Sequence, residues 1–222
     1  MISKKHKLIL LVPPKTGSNS IKKCFEDANI VFDSPIKKLQ FPIYHSTLSE
    51  ILLAYDISYE DLNKYKILQI TRNPYERYMS SWIHQNEIIG FETKIEIFTE
   101  NLKKYKNLLR IDINQFYIKF YGSLNYRDKF YKNNNWGGLR FWWEQNWWND
   151  LEVPIKNFKL ENIKNDINEL SKYVNIELNM LPKIRPNMDK NNNYDYINHI
   201  NIVKNDIMEL YINDFKLYNY DI

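Results

Sequence analysis

The side chains with the clearest capacity for chemistry lie in one short segment, residues 12–20, which reads Val-Pro-Pro-Lys-Thr-Gly-Ser-Asn-Ser. Lys15 supplies a mobile positive charge there, and several hydroxyl side chains follow it closely. The segment comes after an apolar run at residues 8–12 and before a helical pattern, so we predict that it forms the turn between a strand and a helix. The start of such a helix presents unpaired N–H groups and the positive end of the helix dipole, which together attract anions. The sequence therefore predicts an anion site at this turn.

This segment differs from the P-loop that binds nucleoside triphosphates. The P-loop has a glycine, four further residues and then Gly-Lys-Ser or Gly-Lys-Thr. Here Lys15 precedes Gly17, and Pro13 and Pro14 stand where the first glycine would be expected. By itself the segment is therefore compatible with two interpretations, a phosphate site and an ordinary surface turn that contains a lysine.

A second segment with chemical potential begins at Arg72, directly after another apolar run. Asn73 suits a helix N-cap, Pro74 suits the first helical position, and Glu76 can complete a capping box with Asn73. Arg72 then lies at the end of a strand, and Ser80 lies two turns along the following helix. At the carboxyl edge of a parallel sheet both could reach a second phosphate. The alternative is an ordinary capped helix preceded by a solvated arginine.

Together, Pro-Lys-Thr-Gly-Ser-Asn-Ser in the first turn and Arg-Asn-Pro-Tyr-Glu-Arg-Tyr-Met-Ser-Ser in the second segment resemble the motifs of the sulfotransferase family. Members of that family use 3′-phosphoadenosine 5′-phosphosulfate (PAPS) and leave 3′,5′-bisphosphoadenosine as product. The resemblance implies that the first segment holds the 5′-phosphosulfate and that an arginine and a serine of the second hold the 3′-phosphate. The cofactor-binding residues that it implies are Lys15, Thr16, Gly17, Ser18, Asn19, Ser20, Arg72 and Ser80.

A third stretch is similar to the carbohydrate branch of this family. Residues 158–170 look like the late strand and following helix of carbohydrate sulfotransferases, and residues 181–187 lie where that branch has a loop over the nucleotide. The branch that acts on small phenols has an Arg-Lys-Gly signature at this loop, which is absent here. The resemblance therefore implies a glycan or a similar hydroxyl-bearing acceptor.

Two side chains are the candidates for catalysis. Lys15 suits stabilisation of the leaving phosphate as a point charge, while backbone N–H groups of the turn suit the sulfonate. His45 is the candidate general base, because it lies just before the helix that begins near Thr47, and a helix N-terminus favours the neutral imidazole. A His-x-Thr stretch at a comparable place in the glycan branch looks similar. Glu161 is the alternative base, and a surface histidine beside a helix cap is the alternative interpretation of His45.

Five of the six tryptophans lie between residues 136 and 148. Trp143 and Trp147 are four residues apart, which indicates packing on one helical face rather than ligand binding. Trp136 adjoins two glycines in an irregular stretch, and an indole face there is suited to stacking on a sugar ring. We therefore take Trp136 as the candidate substrate-binding residue.

Composition narrows the class of protein further. The chain has 222 residues, 44% hydrophobic and 26% charged, and its formal charge of +4 suits anionic ligands but is too small to indicate nucleic-acid binding. With one cysteine, Cys24, no intramolecular disulfide is possible, and the four histidines show no metal-ligand spacing. No apolar run reaches the length of a membrane span, and the run at 8–12 is too short for a signal peptide. We expect a soluble protein, located in the cytoplasm, that needs no metal.

The order of elements predicts an α/β fold, with a central parallel sheet flanked by helices in one domain over residues 1–222. The resemblance to the sulfotransferase family implies that this fold is the P-loop-like fold of sulfotransferases. Besides the helix after residue 17, we predict strands at 8–12, 65–71 and 155–160 and helices at 47–55, 93–121, 162–173 and 197–214.

Two other functions remain compatible with these patterns. An atypical P-loop kinase would share the strand–turn–helix anion site, although the P-loop pattern itself is missing. A nucleotide- or glycan-binding module that keeps the fold without catalysis is the second, and the presence of Lys15 with a candidate base argues against it.

Overall fold

The computed structural model describes residues 1–37, 45–89, 94–109, 143–179 and 196–222. The chain clusters into two compact units. Unit 1 comprises Met1–Asn73 and Gln145–Asn192, and unit 2 comprises Pro74–Glu144 and Asn193–Ile222. The domain bounds 1–222 stay a prediction.

Unit 1 contains a four-stranded sheet with the spatial order β1-β2-β3-β4. Its strands are β1 (Ile2–Ser3), β2 (Leu8–Leu11), β3 (Lys66–Thr71) and β4 (Lys156–Lys159). β1 pairs with β2 in the antiparallel sense, whereas the β2–β3 and β3–β4 pairs are parallel. The predicted α/β class with a central, mostly parallel sheet is confirmed, and the two-residue strand β1 is an addition that the sequence did not predict.

Helices occupy much of the remaining chain that the structure describes. They are α1 (Ser18–Asp27), α2 (Leu48–Tyr55), α3 (Pro74–Ile89), α4 (Ile95–Leu109), α5 (Ile163–Val174), α6 (Tyr196–Leu210) and α7 (Ile212–Leu217). Two 3-10 helices, Glu60–Lys64 and Gln145–Asn149, lie in unit 1. Of the predicted helix 93–121, residues 110–121 lie outside the described residues.

Helices α1 and α5 cover one face of the sheet. Alternate strand residues point to this face, as the two-residue period of a strand requires. They join one buried cluster with the apolar stripes of the two helices. Cys24 is packed in the stripe of α1, and burial raises the pKa of its thiol. The cluster includes Leu8, Leu10, Leu68, Ile70 and Phe158 of the sheet, Ile21, Cys24 and Phe25 of α1, and Ile163, Ile167, Leu170 and Val174 of α5.

Unit 2 is helical in its described part. One prediction made for it is wrong. The predicted helix 197–214 is interrupted at Tyr211, whose φ of −123° and ψ of 27° leave the helical region, so that α6 ends and α7 begins there. Of the apolar residues of α4, Phe98 and Leu102 are buried, whereas Ile97 is 52% exposed.

An arginine of α3 lies in the interior of unit 2. Arg77 is 2% exposed, its Nη1 donates to the Trp143 carbonyl at 2.7 Å, and its guanidinium lies 6.0 Å from the centre of the Tyr211 ring. Tyr78 and Met79 of the same helix are also buried. Arg77 is therefore packed inside its own unit.

Candidate functional site

The predicted anion turn follows β2 directly. The Thr16 N–H and the Thr16 Oγ1 both donate to the Pro13 carbonyl, at 3.3 and 2.7 Å. Thr16 is fully buried, and these bonds close the turn between the strand and α1. Both donors of Thr16 therefore stabilise the turn, and its direct contact with the cofactor stays a prediction.

Gly17 caps α1 in a conformation that strains any residue with a side chain. Its φ is +82°, and a Cβ built on it would lie 2.7 Å from Leu160 Cδ1. As N-cap it makes no side-chain hydrogen bond, so the N–H groups at the start of α1 depend on other partners for saturation. Lys15 is half-buried, and like Gly17 it has a left-handed backbone conformation, with a φ of +68°. The turn thus offers backbone donors at the helix start, as an anion requires.

Arg72 connects the second predicted segment to the first. It follows β3, which is the parallel neighbour of β2, so the two strands end at the same edge of the sheet. The Arg72 Nη1 donates to the carbonyl of Lys15 at 3.3 Å. The guanidinium and the lysine-bearing turn are therefore adjacent in unit 1.

A buried glutamine that the sequence analysis missed holds the Arg72 peptide. The Arg72 N–H donates to Gln145 Oε1 at 2.7 Å, and Gln145 Nε2 donates to the Arg72 carbonyl at 2.8 Å. Gln145 begins the 3-10 helix Gln145–Asn149, far along the chain from Arg72. No local pattern could identify it, since its function comes from a tertiary contact between distant residues.

Glu161 makes a comparable contact at the next peptide. Its Oε1 accepts a hydrogen bond from the Asn73 N–H at 2.6 Å. The preceding Leu160 N–H donates to the Thr71 carbonyl at 2.8 Å, one residue beyond the β3–β4 ladder. This engagement of the carboxylate with the backbone favours a structural role for Glu161 over the role of general base.

His45 is anchored to the end of β2. Its Nδ1 lies 2.9 Å from the Val12 carbonyl oxygen. Because a carbonyl only accepts, Nδ1 carries the proton, and the lone pair of the neutral ring is on Nε2. Thr47 and Glu50 form a capping box at the start of α2, which fixes the backbone immediately after His45. The structure therefore connects the candidate base to the chain three residues before Lys15.

The other predicted site residues lie elsewhere or outside the described part. Ser18 and Ser20 are half-buried and Asn19 is exposed in the first turn of α1. Ser80 is half-buried on α3 in unit 2. Trp143 and Trp148 are buried, which agrees with core packing, whereas Trp147 is half-buried. Trp136 and the predicted loop 181–187 lie outside the described residues.

Metal-ligand clusters and membrane-spanning helices are both absent from the chain segments that the structure describes. No group of three or more histidine, cysteine or acidic side chains there could hold a metal ion. Within the same segments, every helix is too short or too polar to cross a bilayer.

Comparison with known proteins gives one match. The model of the sulfotransferase family matches residues 1–221, continuously through both units. No curated protein and no solved structure matches the chain.

Proposed function

Because this chain belongs to the sulfotransferase family and is a PAPS-dependent sulfotransferase, we propose that it transfers the sulfuryl group to a hydroxyl of a glycan or a similar acceptor. The observation that carries the residue assignment is the hydrogen bond from Arg72 Nη1 to the Lys15 carbonyl. It brings the two segments expected to bind phosphate into contact within unit 1.

The residues at this edge of the sheet fit the anionic ends of PAPS. Lys15 and Arg72 supply two positive charges, and the start of α1 supplies N–H donors without a side-chain cap. In this proposal Lys15 and the N–H groups of Ser18–Ser20 hold the 5′ side, and Arg72 holds the 3′-phosphate. The assignment of Ser80 to the 3′-phosphate rests on the family resemblance.

Three groups of the chain divide the chemistry between them. PAPS supplies the activated sulfuryl group when bound. Lys15 stabilises the negative charge on the phosphate oxygen as its bond to sulfur breaks, and the α1 N–H groups stabilise the sulfonate oxygens. His45 Nε2 takes the proton of the acceptor hydroxyl as the new oxygen–sulfur bond forms, while the Nδ1–H group keeps its hydrogen bond to the Val12 carbonyl. Trp136 is proposed to contact the acceptor.

Nucleotide binding tests the assignment of the phosphates. Charge-assisted hydrogen bonds are worth roughly 1.5–3 kcal/mol, so Arg72→Ala should weaken binding of 3′,5′-bisphosphoadenosine about ten- to a hundredfold. Affinity for adenosine 5′-phosphosulfate, which lacks the 3′-phosphate, should change little. Calorimetric titration of both ligands measures this difference. Lys22→Ala is the matched control, because it removes an exposed cation from the outer side of α1, where Lys22 pairs with Glu26.

Two results would contradict the proposal. An equal loss for both nucleotides on Arg72→Ala would show that Arg72 supports the fold and not the 3′-phosphate. Tighter binding of ATP with magnesium than of 3′,5′-bisphosphoadenosine by the unmodified protein would favour the atypical kinase.

Acceptor identity requires a separate screen. Sugars and lipids with free hydroxyls are incubated with the protein and PAPS that carries labelled sulfate, and transfer of the label is measured. We expect transfer to sugars, and labelling confined to lipids without a sugar would overturn the glycan proposal while leaving sulfuryl transfer intact.

A further inference from the structure

We propose that Gln145 is a positioning residue for recognition of the 3′-phosphate: its buried side-chain amide holds the Arg72 peptide and thereby directs the guanidinium. This inference rests on the function proposed above, which assigns the 3′-phosphate to Arg72. It adds a residue that neither the motifs nor the family match identifies.

The contact between Gln145 and Arg72 uses both ends of the amide. The oxygen accepts from the Arg72 N–H at 2.7 Å and the nitrogen donates to the Arg72 carbonyl at 2.8 Å. These two partners also fix which end of the amide is oxygen, because exchanging the ends would place donor against donor and acceptor against acceptor. One side chain therefore does what a neighbouring strand does in an antiparallel pair, where two residues exchange both bonds.

Arg72 needs such a partner because the sheet has ended. The β3–β4 ladder runs to the pair Thr71–Lys159, and the Thr71 carbonyl is the last to receive a bond from that side, from Leu160. The chain enters α3 only at Pro74. Arg72 thus lies between strand and helix, and Gln145 forms hydrogen bonds with both its N–H and its carbonyl.

Gln145 is itself fixed to the same strand. Gln69, in β3, donates from Nε2 to the Gln145 carbonyl at 2.7 Å, and both glutamines are fully buried. Two buried side-chain amides, those of Gln69 and Gln145, therefore fix the position of the Arg72 peptide relative to the sheet. From that peptide the guanidinium reaches the Lys15 carbonyl, so a shift of the peptide moves the cation relative to the lysine-bearing turn.

Gln145→Met tests the inference, because methionine has nearly the same length and lacks the hydrogen bonds. Displacement of a binding group by about 1 Å can cost up to about a hundredfold, so affinity for 3′,5′-bisphosphoadenosine should fall about ten- to a hundredfold while that for adenosine 5′-phosphosulfate changes less than about twofold. Calorimetric titration gives both constants. The control is Tyr55→Phe, which removes another hydrogen bond of unit 1, from the Tyr55 hydroxyl to the Asp33 carbonyl, and should keep the wild-type ratio of the two affinities.

Gln145→Glu is a second test, because it should make the nucleotide preference depend on pH, which a general loss of stability would not do. A protonated carboxyl has one donor and one acceptor and replaces the amide, whereas the ionised form places only acceptors against the Arg72 carbonyl. Burial raises the pKa of such a carboxyl. The preference of the Gln145→Glu protein for the bisphosphate is compared with that of the wild type at the same pH. This preference should be nearly normal at about pH 5 and should decline as the pH rises through the pKa of the new carboxyl.

The outcomes separate this inference from the function on which it rests. Unmodified protein that binds both nucleotides equally would overturn the proposed 3′-phosphate site and the inference with it. A clear preference in the wild type that Gln145→Met and Gln145→Glu both retain at every pH would overturn the inference alone. An equal loss for both nucleotides would assign Gln145 to the fold.

Discussion

Gly17→Ala is the sharpest test of the anion turn, because the structure shows which atoms an added methyl group would contact. At a φ of +82° an L-residue is strained by roughly 1–2 kcal/mol, of which the lower entropy of the unfolded alanine chain offsets about 0.4–1 kcal/mol. The new Cβ also lies 2.7 Å from Leu160 Cδ1, so Leu160 must move. Overpacking of this kind costs about 1–3 kcal/mol, and its lower end applies because the contact is the tip of a flexible side chain.

The sum is a destabilisation of about 1–3 kcal/mol, which for a chain of this length lowers the melting temperature by about 2–10 °C. The backbone adjustment that relieves the strain also moves the N–H groups at the start of α1. Affinity should therefore fall by about tenfold or more for 3′,5′-bisphosphoadenosine and for adenosine 5′-phosphosulfate alike, since both share the 5′ side. This equal loss distinguishes Gly17 from Arg72 and Gln145, whose variants should discriminate between the two nucleotides.

A double-mutant cycle separates the two causes. Thermal melts of Gly17→Ala, Leu160→Ala and the double variant give the coupling between the sites, expected at about 1–2 kcal/mol because the truncated Leu160 no longer meets the new methyl group. The backbone strain should survive in the double variant. Additive effects would show that the contact with Leu160 is not the cause, and unchanged nucleotide affinity in Gly17→Ala would refute the placement of the 5′ side at this turn.

The remaining predictions concern turnover, measured as transfer of labelled sulfate to the acceptor found by the screen. Lys15→Ala should lower kcat by about 10²–10³ and nucleotide affinity by less, because its charge matters most on the departing oxygen; unchanged kcat would assign this role to another group. His45→Ala should lower kcat by about 10²–10⁴ and remove the rise of activity with pH that the histidine causes in the wild type. Loss of turnover in Glu161→Gln but not in His45→Ala would make the carboxylate the base.

Features set by neighbours in the sequence could be predicted from it. The capping box of Thr47 and Glu50 is an example, because its donors and acceptors are three residues apart and the helix geometry brings them together. The strand–turn–helix at residues 8–27 is another, since an apolar run, a glycine at the cap and a regular apolar stripe are all local signals. The parallel order of the strands followed from the alternation of these local elements.

Features set by distant neighbours could not be predicted. Arg77 has the sequence context of an ordinary polar helix residue, yet it is buried because the Trp143 carbonyl and the Tyr211 ring receive it. Ile97 has the spacing of a core residue, yet tertiary packing turns Phe98 and Leu102 inward. Hydrophobic spacing gives the face that a helix can bury, and the partner elements decide how much of that face is buried.

The candidate site combines locally formed turns with contacts from distant residues that hold them in place. At the ends of β2 and β3 the backbone is held by polar side chains from elsewhere in unit 1: His45 on the Val12 carbonyl, Gln145 on the Arg72 peptide and Glu161 on the Asn73 N–H.

Leaving one such backbone group unsatisfied costs about 1–3 kcal/mol, whereas a typical domain has about 5–15 kcal/mol of stability in total. Loss of a single anchor should therefore leave the sheet folded while the chain that carries Lys15 and Arg72 loses its fixed position. Since the anchors act on backbone, their effect on a ligand passes through the geometry of Lys15 and Arg72. For this reason the ratio of two nucleotide affinities, rather than stability alone, is the quantity that reveals them.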